Sequence, residues 1–306
     1  MNTPVTVVGE ALIDIVVSPD GRIAEHVGGS PANVAIGLAR LGHGTTLITH
    51  IGVDERGQRI ADLLASEHVL LSLGSRSADQ TPTATATLDT TGAATYEFDL
   101  AWRPDDTAVA ETGHLHTGSI AATLAPGAAI VRRIVESART RSTVSYDPNV
   151  RPSLMDTPAA ARATIEATVA LADVVKASDE DLHWLYPGIP EAEVMRTWTN
   201  LGPRLCIITH GGDDVVAAVG NDLHRVPVTA TEVVDTVGAG DSFMAGLLSG
   251  LLDAGLLGGP DARTQLSTAN WEQILPAVLR GIACSAITVS RAGANPPTRA
   301  NLREHP

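Results

Sequence analysis

Short β-branched runs open the chain. Residues 3–8 end at Gly9, residues 12–17 are again rich in Ile and Val, and Pro19-Asp20-Gly21 marks a turn. The pattern then changes period. After Gly28-Gly29-Ser30-Pro31, the apolar residues Val34, Leu38 and Leu41 recur at helical spacing, with Ser30 as the expected N-cap, Pro31 at the first helical position and Gly42 as the stop. Residues 45–51 read as a strand and 54–66 as a helix. Two Thr-rich runs, 83–88 and 95–100, flank Asp89-Thr90-Thr91-Gly92 and predict a hairpin.

From His114 the rhythm becomes strand and helix in alternation. Strands are expected at 114–116, 143–147, 174–176, 205–209 and 215–219. Helices are expected at 128–138, 158–170, 180–186, 191–199, 241–254 and 271–290. Such alternation predicts an α/β fold whose central, mostly parallel sheet carries helices on both faces. The β-rich segments near 11–27 and 83–100 fall outside it and predict a small separate β-sheet over one edge. No repeat or linker divides the chain, so residues 1–306 read as one domain.

Composition narrows the class. Hydrophobic residues make up 44% but aromatics only 3%, so Ala, Val, Leu and Ile must fill the core. The net charge of −14 and the absence of a Lys/Arg run argue against nucleic acid as a partner and against an anionic membrane surface. The N-terminus lacks a basic segment followed by an apolar one, and no apolar run of roughly 18 residues stands out, so neither a signal peptide nor a transmembrane helix is expected and the default location is cytoplasmic. The two cysteines, Cys206 and Cys284, lie in apolar surroundings and read as buried thiols.

Chemistry concentrates at Asp235-Thr236-Val237-Gly238-Ala239-Gly240-Asp241-Ser242. The small residues Gly238, Ala239 and Gly240 let backbone N–H groups turn toward one point, and the helix that follows aims its positive end at the same place. That is an anion site, suited to a phosphoryl group in transfer. Asp241, beside it, is positioned as a base for an attacking hydroxyl, or simply as a first-turn acid of the helix. A Walker A loop is excluded because the chain's single lysine, Lys176, follows Val175 and not Gly. The dinucleotide fingerprint fails at Phe243, and the Gly-x-Ser-x-Gly elbow is missing. Phosphate would therefore be held by backbone and arginine.

These residues resemble the ribokinase-like carbohydrate kinases, the PfkB family. Two signatures match, Gly28-Gly29-Ser30-Pro31-Ala32-Asn33 and the segment from Asp235 to Gly246, in the family's order. The resemblance implies a ribokinase-like fold with a β-sheet lid, and transfer of the ATP γ-phosphate to a sugar hydroxyl with Mg²⁺. It implies Asp241 as base, Gly238, Ala239 and Gly240 as anion hole, and Asp14, Gly28, Gly29 and Asn33 as sugar contacts. Read by themselves, Asp14 in its apolar stretch either binds a partner or turns outward. The glycines either admit a ligand or make a tight turn, and Asn33 either meets a ligand or faces solvent.

Further likenesses are local. Asp147-Pro148-Asn149-Val150-Arg151 resembles the family's Asp-Pro-Asn-x-Arg, making Arg151 a sugar or phosphate contact or else a surface ion pair. Ser178 and Asp181 stand where the family has Asn-x-x-Glu, which organises Mg²⁺ and phosphate; Ser178 also reads as a helix N-cap, and Glu180 is an alternative to the shorter Asp181. Thr209 and Gly211 resemble a nucleotide-side turn, with Asp214 in place of its last Gly, and Asn270 falls at an adenine-side position. Thr288, Arg291 and Gly293 resemble a loop that binds a monovalent cation such as K⁺ together with Asp235 and Val237. The ending from Arg291 to Thr298 resembles the fructokinases of the family, with 2-dehydro-3-deoxygluconokinases as the alternative and a catalytically silent sugar-binding protein as the reading from another class. A small exposed sheet also favours a homodimer through the lid.

Overall fold

Among the described residues, thirteen strands fall into two sheets. In chain order they are β1 (Val5–Val8), β2 (Leu12–Val17), β3 (Ile23–Gly28), β4 (Thr45–Ile48), β5 (Val69–Leu71), β6 (Thr83–Leu88), β7 (Ala94–Asp99), β8 (His114–Gly118), β9 (Thr143–Asp147), β10 (Val174–Ser178), β11 (Leu205–Thr209), β12 (Asp214–Val219) and β13 (Asp222–Pro227). The helices are α1 (Ser30–Arg40), α2 (Glu55–Ser66), α3 (Gly127–Ala138), α4 (Pro158–Val169), α5 (Asp179–Leu185), α6 (Glu191–Leu201), α7 (Ala239–Asp253), α8 (Pro260–Thr268), α9 (Trp271–Val289) and α10 (Arg299–Glu304). The computed structural model describes residues 3–89, 94–105, 113–228 and 231–304; residues 90–92 of the expected hairpin turn lie outside them.

The large sheet has the order β13-β12-β11-β10-β9-β8-β1-β4-β5. It is parallel from β11 to β5, and the antiparallel pair β12 and β13 extends one edge. Its strands are buried on both faces because alternate residues feed two separate cores. On β11, Leu205 and Ile207 pack with α1, α2, α7 and α9, whereas Cys206 and Ile208 pack with residues of α3, α4 and α6. Both cysteines are buried free thiols, as expected. Chain order reverses at β1: the strands after it run β4, β5 to one side and β8 to β11 to the other. Such a switch point opens a crevice at the carboxyl ends of the strands, where ligands of open α/β sheets bind.

The small sheet, in the order β3-β2-β6-β7, is the lid expected from the two β-rich segments. Asp14 lies opposite Ala84, and Ala84 opposite Phe98. One face of the lid thus presents Asp14, Ala84 and Phe98 side by side toward the crevice.

Three local readings change. The N-cap of α1 is Gly29, with φ of 107°, and Ser30 is the first helical residue, so its hydroxyl is released from capping. A side chain at Gly29 would strike the Glu10 carbonyl at 2.5 Å, which explains the glycine there. Strands β5 and β13 and helices α8 and α10 were not expected: β5 has only 3 residues, and β13 is mostly exposed. Finally, α9 has 19 residues and a mean hydropathy of 1.2, long and apolar enough to cross a membrane by length and composition. Here its apolar stripe is spent on α7. A Cβ on Gly246 would lie 2.8 Å from the Arg280 carbonyl, and one on Gly250 2.5 Å from the Ala277 Cα, so the two backbones approach as closely as glycine permits.

Candidate active site

A cleft of about 520 Å³ lies at the carboxyl ends of the parallel strands, beneath the lid. Each strand delivers its next residues to it: Glu10 after β1, Ser119 after β8, Asn149 and Arg151 after β9, Ser178 at the end of β10 and Thr209 at the end of β11. From the opposite side come Ser30 and Asn33 of α1 and the segment Thr236 to Asp241 at the start of α7. A second, mostly apolar slot of about 410 Å³ adjoins it, lined by Val215, Val228, Phe243, Ile282 and Val289, and shares Thr209, Gly211, Ala239 and Gly240 with the cleft.

Two hydrogen bonds join the two sequence signatures. Ser30 Oγ donates to Asp241 Oδ1 at 2.6 Å, and Asn33 Nδ2 donates to Oδ2 at 2.8 Å. Each carboxylate oxygen retains a lone pair for a further donor. Helix α7 begins after Gly238, whose φ of 74° is left-handed and whose Cβ position lies 2.6 Å from that of Ala294, so only glycine fits. The Ala239 amide is drawn inward to the Thr236 carbonyl at 3.2 Å. Among the described residues no backbone acceptor takes the amides of Gly238, Gly240 or Asp241. Of the expected Gly238–Gly240 amides, that of Ala239 is thus spent internally, whereas the Asp241 amide is left unpaired by backbone beside those of Gly238 and Gly240.

Burial governs the remaining charges. Glu10 is buried, and its carboxyl is pushed up to about 7, against the pull of Ser119, Arg151 and the Ala121 amide. Burial also raises Asp14, opposed by His26 and Arg151. Gly28 does not line the cleft; a Cβ there would fall 1.9 Å from Asp14 Oδ2, so this glycine makes room for the aspartate. Asp147 holds the Asn149 amide at 3.1 Å and the Lys176 ammonium at 3.0 Å, and burial lifts its carboxyl to about 6. Lys176 also borders the amide cradle, its Nζ 3.0 Å from where a Cβ on Gly240 would stand. Sequence reasoning used this lysine only to exclude a P-loop.

Other expected site residues divide. Arg151 lines the cleft, its guanidinium steadied by the Asn149 carbonyl and side chain and the Val150 carbonyl. Ser178 caps α5 and forms a capping box with Asp181, whose two oxygens accept from the Ser178 and Val150 amides. Asp181 is therefore committed to the backbone, whereas Asp179 and Glu180 stand exposed in the cleft. Thr209 and Gly211 sit at the junction with the apolar slot, and Asp214 instead pairs with Arg225 at the start of β12.

Asn270 lines neither space. It caps α9, accepting from the Gln273 amide at 3.1 Å, four turns from the slot-lining Ser285 and Ala286. Asp235 ties Val237 and Gly293 together by accepting both their amides, at 3.0 and 2.8 Å. Arg291 reaches the Asn295 carbonyl in the same loop. Thr288, by contrast, is buried, its hydroxyl within hydrogen-bond distance of Ser242 Oγ and the Cys284 carbonyl, and its carbonyl accepts the Arg291 amide.

The model of the "pfkB family carbohydrate kinase" matches residues 2–301. The fructokinase of Klebsiella pneumoniae is 32% identical over 96% of this chain and 95% of its own length, and that of Salmonella typhimurium is also 32% identical over 96% and 95%. Among solved structures, the fructokinase of Xylella fastidiosa with bound ATP superposes with a TM-score of 0.86 at 25% identity, covering 99% of this chain and 98% of that one. A fructokinase of Vibrio cholerae, solved with fructose, ADP and potassium ion, gives 0.80 at 25% identity and 99% coverage of both. With two signatures meeting at Asp241 and the match running nearly from end to end, the chain belongs to the pfkB family of carbohydrate kinases, and it is a sugar kinase.

Proposed function

We propose that this kinase phosphorylates D-fructose from ATP, with Asp241 as the base. The observation that carries the reading is the Ser30–Asp241–Asn33 contact at the mouth of the α7 amides, where the polar cleft meets the apolar slot. The slot suits a flat base and the cleft a polyol. The sugar oxygen attacks the γ-phosphorus while its proton passes to the Asp241 carboxylate. The bond from that phosphorus to the β,γ-bridging oxygen breaks, its electrons leaving on ADP. Charge on the transferring group is met by the amides of Gly240 and Asp241 and by the positive end of α7.

Charge favours a neutral ketose over an acid sugar. The described residues lining the cleft include the carboxylates Glu10, Asp14, Asp179, Glu180, Asp181 and Asp241 against only Arg151 and Lys176. A substrate carboxylate would enter a mostly acidic cleft, whereas fructose hydroxyls can donate to Asp14 and Glu10. The relatives' names point the same way.

A divalent cation such as Mg²⁺, bound with the nucleotide, would neutralise phosphate charge. Among the described residues no three His, Cys, Asp or Glu converge on one point, so phosphate and water would supply most ligands and the exposed Asp179 and Glu180 the outer contacts. K⁺ would find carbonyl oxygens in the paired loops of Asp235 and Gly293.

The deciding measurement is sugar-dependent ADP release, screened over fructose, ribose, adenosine and 2-keto-3-deoxygluconate, in K⁺ and in tetramethylammonium. Fructose is expected to give the highest kcat/KM, with turnover higher in K⁺. Preference for the acid sugar would replace the fructose assignment, and no turnover with any acceptor would remove the assignment of Asp241 as base.

A further inference from the structure

The only lysine of the chain is buried at the floor of the cleft, on β10, with a side chain 5% exposed. A buried ammonium is costly unless its charge and its three donors are used. Among the described residues a single hydrogen bond accounts for it, to Asp147 Oδ2 at 3.0 Å. Burial works against the charged form, yet Asp147, Asp181 and Asp241 together hold the lysine protonated. Its Nζ lies where Gly240 leaves room, 3.0 Å from the missing Cβ, and so beside the first turn of α7, where the Gly240 and Asp241 amides have no backbone acceptor among the described residues. Any larger residue at position 240 would press on the ammonium.

We propose that Lys176 is a catalytic residue of this kinase: its ammonium contacts the phosphoryl oxygens held at the Gly240 and Asp241 amides, and Asp147 positions it. The strand floor thereby supplies the point charge that a P-loop would carry on its own lysine. Asp147, fixed through Asn149 and buried beside Tyr146, holds the amine at 3.0 Å. The inference rests on the kinase reading above.

Three variants test it: Lys176→Met, Asp147→Asn, and the two combined. The double variant removes both charges, so the fold loses no partner to an orphaned carboxylate, and thermal melting checks that it is intact. Asp147→Asn, which keeps the ammonium, is expected to lose about tenfold in kcat, and the double variant at least a further hundredfold, with sugar KM changed only a few-fold. Calorimetry supplies a readout that does not need turnover. A non-hydrolysable ATP analogue should bind the double variant at least tenfold more weakly than Asp147→Asn, while adenosine binds both alike. A double variant that folds and matches Asp147→Asn in analogue affinity would overturn the proposal, because the lysine would then merely neutralise Asp147. A wild-type protein without sugar-dependent ADP release would instead overturn the kinase reading, leaving the binding comparison standing by itself.

Discussion

Asp241 is useful because two residues more than 200 positions away hold both its oxygens. Fixing a carboxylate in one rotamer lowers the cost of aligning it with a hydroxyl. Asp241→Asn is therefore expected to cut kcat by about 10²–10⁴-fold with little change in sugar KM, measured by coupled ADP release. Ser30→Ala should lower kcat/KM roughly tenfold, in line with the loss of one hydrogen bond to a charged group. Glu10 makes a different prediction. Its folded carboxyl is pushed from 4.5 to about 7, so the folded state binds its proton more tightly than the unfolded chain does. Stability from this group is full below pH 4.5 and lost as pH rises through about 7, by ~3 kcal/mol at most. Asp147, raised to about 6, acts in the same direction. Melting curves of Glu10→Gln between pH 5 and 8 should fall less steeply than wild type; an unchanged slope would place the loss elsewhere. The place of Asp241, beside a small-residue turn at a helix start, was legible because Gly-Ala-Gly-Asp is a local pattern. That of Ser30 was not: Ser before Pro reads as a helix cap, and only its distant partner reassigns it.

Helices α7 and α9 carry the candidate site by fixing where the amides at the start of α7 point. Their contact depends on Gly246, Gly250 and Gly281, since a Cβ added at each would stand 3.0 Å or less from backbone or ring atoms of the other helix. Gly250→Ala is expected to destabilise by about 1–3 kcal/mol through overpacking, read as a fall in urea midpoint. Gly44→Ala is the control: nothing lies within 4 Å of its added carbon, and the change should stay within about 0.5 kcal/mol. Most strands and helices were legible because each is long enough to state its period. The ones that escaped had no such signal. Strand β5 is 3 residues long, and β13 alternates few buried positions and exists because β12 offers it an edge.

The whole molecule closes its site between two sheets, the large one giving the strand ends and the small one Leu12, Asp14, Ala84 and Phe98. A sugar bound there ties the lid to the main body and stabilises only the folded chain. Fructose at about 100 times its Kd should raise the unfolding free energy by ~2.7 kcal/mol, and Asp14→Asn should reduce that rise at equal concentration in a thermal shift titration. The sequence alone determined the fold class, the small separate sheet and the glycine-rich turn that opens α7 beside Asp241, because period-2 and period-3.6 patterns and glycine-rich turns are set by neighbours along the chain. Tertiary structure decided which amides are free, that Asp181, Thr288 and Asn270 are spent on the scaffold, and that Ser30 and Lys176 converge on the site. Those outcomes depend on contacts between residues far apart in sequence, and no local pattern encodes which distant group will accept a given hydrogen bond.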